Sequence, residues 1–123
     1  MKTISILFIT YILLITTSCQ NNQKIDFDVT SQQIYKEYQD NEVAADAKYK
    51  DKRVKVTGTI ISFDKSMGVN YCYIGSSGDF IGEVRCAMSE DFVKQAGNYQ
   101  KGQTISLEGK CIGRSFTGVV NLE

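Results

Sequence analysis

Arg53-Val54-Lys55-Val56-Thr57-Gly58-Thr59-Ile60 alternates between two kinds of side chain. Val54, Val56, Gly58 and Ile60 fall on one face, and Arg53, Lys55, Thr57 and Thr59 on the other, the period of a strand with one face in a core and one in water. Gly58 in the middle predicts a bulge or sharp bend, as a strand needs when it curls into a small barrel. The same period returns after Lys101-Gly102, where Ile105, Leu107, Gly109 and Cys111 alternate with Ser106, Glu108 and Lys110.

Between these two strands, residues 70–75 form an aromatic-rich strand, Ser76-Ser77-Gly78-Asp79 supplies turn chemistry, and residues 80–88 form a third strand. Ser89 can cap a short helix with Glu90 and Asp91 in its first turn, Phe92, Val93 and Ala96 turned inward and Gly97 as its stop. Gly113-Arg114-Ser115 turns into a last strand over residues 116–122. Upstream, Thr30 followed by Gln33 is a capping pattern, and Ile34, Tyr35 and Tyr38 share a helical stripe over residues 31–40. Residues 42–48 form a second helical segment with Val43, Ala44 and Ala47 as its small apolar face, and Asn41 marks the junction. Three strands, a short helix and two more strands is the order of a five-stranded Greek-key OB-type barrel, here preceded by an N-terminal helix. A sandwich would need more strands, and a parallel α/β fold longer helices.

The amino terminus reads as an address. Lys2, an apolar run from Ile4 to Ile15 and the small residues Thr16, Thr17 and Ser18 lead to Cys19, and a run this short falls below the roughly 20 residues of a spanning helix. The segment resembles the lipobox of bacterial lipoproteins, with Thr16 where a lipobox carries Leu. That resemblance implies a signal peptide over residues 1–18, cleavage after Ser18 and lipid attached to Cys19. Residues 19–29, beginning Cys19-Gln20-Asn21-Asn22-Gln23, then read as a polar tether, and residues 30–123 as the folded domain.

The 123 residues hold 14 basic and 14 acidic side chains, four Cys and no His, Trp or Pro. Without histidine there is no Ser-His-Asp or Cys-His nucleophile pair and no side chain that titrates near neutrality unperturbed, so no enzyme is expected. Asp79 and Glu83 stand near one turn, but nothing in their spacing sets the separation of a catalytic carboxylate pair. Gly75-Ser76-Ser77-Gly78 lacks the Lys-Ser/Thr ending of a phosphate loop. The balanced charge lacks the basic excess of most nucleic-acid binders. Neither a cofactor nor a metal is expected, since Cys72, Cys86 and Cys111 have no Cys-x-x-Cys spacing and no histidine completes a set. Cys86 and Cys111 fall at core positions, as buried thiols or as a disulfide in an oxidising compartment, with pairing to Cys72 a further option.

The candidate ligand-binding residues are Tyr71, Tyr73 and Arg85, with Glu83 close by. If Cys72 and Ile74 point inward, the two tyrosines point outward beside Arg85, the combination by which OB folds hold bases or sugars; the opposite parity would bury the tyrosines. With Lys55 and Lys65, this face gives the alternative reading of a nucleic-acid-binding domain. A third reading makes the N-terminal helix a partner contact through Tyr35 and Tyr38.

The run Asn41-Glu42-Val43-Ala44-Ala45-Asp46-Ala47-Lys48-Tyr49-Lys50, followed by Lys52-Arg53-Val54-Lys55-Val56-Thr57-Gly58, resembles the tRNA-anti-like family of bacterial lipoproteins with an OB fold. Lys101-Gly102-Gln103 and Leu107-Glu108-Gly109-Lys110-Cys111 resemble that family's later segments. The resemblance implies an OB-like barrel held to the cell envelope and facing the periplasm or the cell surface. The expected partners are membrane lipid through acylated Cys19, then an envelope protein or oligosaccharide, and nucleic acid less so. It assigns no functional residue, because fold does not imply function.

Overall fold

Thr30 ends one element and caps the next. In the computed structural model, which describes residues 23–76 and 83–123, its hydroxyl accepts the Gln33 N–H at 3.1 Å, and helix α1 spans Ser31–Asp40. Ile34 and Tyr38 on its inner stripe are fully buried, whereas Tyr35 is half-buried. The Asn41 side chain accepts the Ala44 N–H at 3.1 Å and starts α2, Glu42–Tyr49. The face expected of α2 is not the one that packs: Val43 is 82% exposed, and Ala45 and Tyr49 are buried instead. Tyr49 turns the helix, because its ring stacks on Tyr38 at 6.3 Å and meets the edge of Phe27 at 5.1 Å.

Phe27 belongs to a strand that the sequence did not announce. Residues 27–30, expected in or beside the tether, form β1, Phe27–Thr30, which pairs in parallel with Val54–Thr57. Two alternating apolar residues, Phe27 and Val29, are too short a pattern to register as a strand. The pairing is anchored by two bonds, one from the Asp26 N–H to the Arg53 carbonyl at 2.8 Å and one from the Arg53 N–H to the Asp26 carboxylate at 3.0 Å.

The alternating stretch is the first half of β2, Arg53–Ser66, which bonds to β1 and to β5, Thr104–Arg114, on its first half and to β3, Val69–Gly75, on its second. Met67 and Gly68, both at positive φ, make the tight hairpin into β3. Then β4, Val84–Ala87, pairs antiparallel with β3 and parallel with β6, Val120–Leu122, which returns to β5. The hydrogen-bonded order β2–β3–β4–β6–β5–β2 is a ring, OB-like, with β1 as a sixth strand at its side. Val54, Val56, Ile60, Cys72, Ile74, Val84, Cys111, Val120 and Leu122 fill the interior with Ile34, Tyr38 and Tyr49 of the helices.

Of the bulge or sharp bend expected at Gly58, the bulge lies just beyond it. The register breaks between Ile60 and Ser62, while Gly58 makes room: a Cβ there would stand 2.7 Å from the Ser31 Oγ, which is buried at the start of α1. A second break, between Cys111 and Gly113, lies where Gly113 adopts φ +106°, a conformation costly for any residue with a Cβ. Helix α3, Glu90–Gln95, has the expected cap, Ser89 accepting the Phe92 N–H at 3.2 Å. Only Phe92 of its residues packs on the core; Val93 is 38% exposed, and a 3-10 turn over Ala96–Asn98 absorbs Gly97. The fifth strand, expected over residues 116–122, is shorter, and of the third, expected over residues 80–88, the described residues show Val84–Ala87 as strand. Residues 80–82 of the third lie outside the described residues, and the Ser115–Val119 turn takes the start of the fifth, leaving Phe116 fully exposed.

Two substitutions check this packing. Val56→Asp places an unpaired charge in the ring and is expected to cost about 4 kcal/mol or more, read as loss of a cooperative thermal transition. Gly58→Ala is expected to cost about 1–3 kcal/mol by urea unfolding, as α1 is pushed off β2; relief by Ser31→Gly in the double variant would locate the strain.

Candidate functional site

One residue row crosses the outside of the ring. Register places Ser62 of β2 opposite Tyr73 of β3, Tyr73 opposite Arg85 of β4, and Arg85 opposite Asn121 of β6. Cys72 and Ile74 are buried, so Tyr71 and Tyr73 do face outward, both half-buried. Arg85 leans to the next row and lays its guanidinium 4.4 Å from the Tyr71 ring centre. Its Nε donates to the Asn121 Oδ1 at 2.8 Å, and the Asn121 amide donates to the Gly113 and Val119 carbonyls at 3.4 and 3.3 Å. The aromatic and the guanidinium are thus held in place before any ligand arrives.

Tyr71, Arg85 and Asn121 line a cavity of about 400 Å3 together with Arg114 at the end of β5. Arg114 donates through Nε to the Gly118 carbonyl at 3.0 Å and lies 5.9 Å from the Tyr35 ring and 4.0 Å from the Glu42 carboxylate. Sequence reasoning passed over Arg114 and Asn121, which lie more than 25 residues from Arg85 and join it only through β6. The negative side also contributes: Asp64 stands opposite Tyr71 and accepts the Ser62 hydroxyl at 2.8 Å. The two lysines do not extend a basic track. Lys55 sits between Asp28 and Glu108 in the ladder, and Lys65 is exposed near the hairpin.

Glu83 is not beside the tyrosines. It is buried just before β4, where its Oε1 accepts the Ser76 hydroxyl at 2.9 Å. Asp79 and Cys19 lie outside the described residues. Tyr38, read as a partner contact, is core: its hydroxyl donates to Asp46 at 3.0 Å and meets the Cys111 thiol at 3.6 Å.

A second row runs along the inside, Phe63–Cys72–Cys86–Leu122–Cys111. The disulfide considered between Cys86 and Cys111 is not present; both are free, as is Cys72. Leu122 separates the first two, and two strand spacings make about 10 Å, beyond the roughly 7 Å that a disulfide bridges. Burial pushes the Cys72 thiol up to about 12, with Cys86 adding to the shift, and pushes Cys86 to about 11. Cys72 and Cys86 form part of the wall of a larger, mostly apolar cavity of about 530 Å3, with Met88, Leu107 and the stacked rings of Phe92 and Tyr99. Among the described residues no helix is long and apolar enough to cross a membrane.

A solved lipoprotein of Klebsiella pneumoniae, described as nucleic acid-binding, superposes with a TM-score of 0.61 over 77% of this chain and 85% of its own, at 15% identity. At that identity the likeness speaks for the fold. A chain of the Schizosaccharomyces pombe Stn1–Ten1 complex aligns over 57% of this chain and 52% of its own, at 22% identity and a TM-score of 0.40. No curated protein matches in sequence. Residues 4–123 match the tRNA-anti-like family, so the chain, with its OB-like ring of strands, belongs to that family.

Proposed function

We propose that this protein is a lipid-anchored, non-enzymatic binding module of the bacterial cell envelope, facing the periplasm or the cell surface, and that it takes an oligosaccharide on the outer face of β3 and β4. The observation that carries the ligand reading is the row Ser62–Tyr73–Arg85–Asn121 with Tyr71 beneath the guanidinium. A sugar ring offers an apolar face to stack on a tyrosine and a rim of hydroxyls that both donate and accept. Arg85 donates through its guanidinium N–H groups other than Nε, Asp64 accepts, and among the described residues no continuous basic track favours phosphate over hydroxyl. The anchor reading rests on the segment ending in Cys19, supported by the likeness to another lipoprotein. The non-enzymatic reading rests on the absence of histidine and on the engagement of Glu83 with Ser76.

One contact favours a second reading. Arg85 over Tyr71, with Arg114 on the same cavity, also suits a stacked base beside a phosphate, so single-stranded nucleic acid is the alternative ligand. The similar lipoprotein's description points the same way.

Salt separates the two. Titrations with envelope-derived oligosaccharides and with single-stranded oligonucleotides at about 50 and 200 mM salt are expected to give saccharide binding that barely changes and that Tyr71→Ala weakens about 10-fold or more. Oligonucleotide affinity falling steeply over the same range, with no saccharide bound, selects the alternative. The anchor is checked by the intact mass of protein purified from native membranes. A mass equal to residues 19–123 plus acyl chains is expected, whereas an uncleaved, unmodified chain refutes the anchor.

A further inference from the structure

Cys72 and Cys86 are direct partners across β3 and β4. Directly opposed residues of an antiparallel pair hold their Cα atoms about 4.5–5.5 Å apart, inside the roughly 4.4–6.8 Å that a disulfide spans. Both side chains lie on the inner face, so their Cβ vectors share one side of the sheet. Cys111, two strands from Cys86 in the same inner row, fails the distance condition. The pair also borders a cavity. Both residues belong to the wall of the 530 Å3 cavity, and Cys86 keeps 5% of its surface exposed where Cys72 keeps none.

We propose that Cys72 and Cys86 are a redox site, closing to an intramolecular disulfide by exchange with a low-molecular-weight disulfide that enters through this cavity. The Cys86 thiolate attacks one sulfur of the reagent, forming a mixed disulfide and expelling one thiolate. The Cys72 thiolate then attacks the Cys86 Sγ, forming the intramolecular bond and expelling the second thiolate. The two protons lost by the protein thiols pass through solvent to the two leaving thiolates. Two electrons move from the protein to the reagent, which departs as two thiols. Cys86 acts first because it is the more exposed and is held less far above the usual thiol range than Cys72.

The bond would join two strands otherwise linked through residues 76–83, closing a loop of about 15 residues and restricting the unfolded chain. It would also pin the register that seats Arg85 beside Tyr71 and Tyr73, since these residues flank the two cysteines. The site is independent of which ligand the outer face takes.

The full chain, reduced and then equilibrated with oxidised glutathione, is expected to yield a single new peptide linkage, Cys72 to Cys86, on non-reducing mapping. Loss of two titratable thiols and a rise in Tm of about 5–15 °C should accompany it, all reversed by dithiothreitol. Cys111→Ala should retain every one of these changes, and Cys86→Ala should lose them. Because the mapping uses unaltered protein, a variant that folds poorly does not blunt the test. Three thiols still free at Cys72, Cys86 and Cys111, a linkage involving Cys111, or a mixed disulfide that persists on Cys86 would each overturn the proposal.

Discussion

One strand must serve two halves of a ring, and the register break between Ile60 and Ser62 is what permits it. Before the break, β2 turns Val54, Val56 and Ile60 inward against β5; after it, Phe63 is the residue that packs on the core, opposite Cys72. The extra residue shifts the parity by one, and a shift of one flips every later side chain to the other face. Without it Ser62 and Asp64 would point into the core, and the outer face of β3 would lose both.

The contact face follows from that shift. Tyr73 has Ser62 on one side and Arg85 on the other because the corrected parity of β2 agrees with the parity of β3 and β4. The same ladder generates the inner row in which Cys72 meets Cys86 and Leu122 keeps Cys111 apart. The proposed contact face and the Cys72–Cys86 pair are therefore two sides of one register. The helices have a different task. Tyr38, Tyr49 and Phe27 form an aromatic cluster that secures α1, α2 and β1 to the ring, and the Gly58 contact with Ser31 fixes where α1 begins.

Much of this was legible in the chain. The span of α1, the caps at Thr30 and Ser89 and the alternation of β5 follow from local patterns, whereas the direction of Tyr71 and Tyr73 was open in the sequence and was decided by the burial of Cys72 and Ile74. Where the reading failed, the deciding contact was distant. The face of α2 was misjudged because Tyr49 packs on Phe27, 22 positions away, and β1 was missed because its stability comes from pairing with Val54–Thr57.

Sequence alone determined the strand periods, the helix starts, the absence of histidine chemistry and the kinship with an OB-like family, because each is local or compositional. Only the tertiary structure decided that Arg85 has Asn121 as its partner, that Arg114 shares its cavity and that Cys86 opposes Cys72 rather than Cys111. Those adjacencies depend on ladder register and on ring closure through the three residues of β6. Register is set by bulges and by packing between strands far apart in the chain, and no short window of residues carries it.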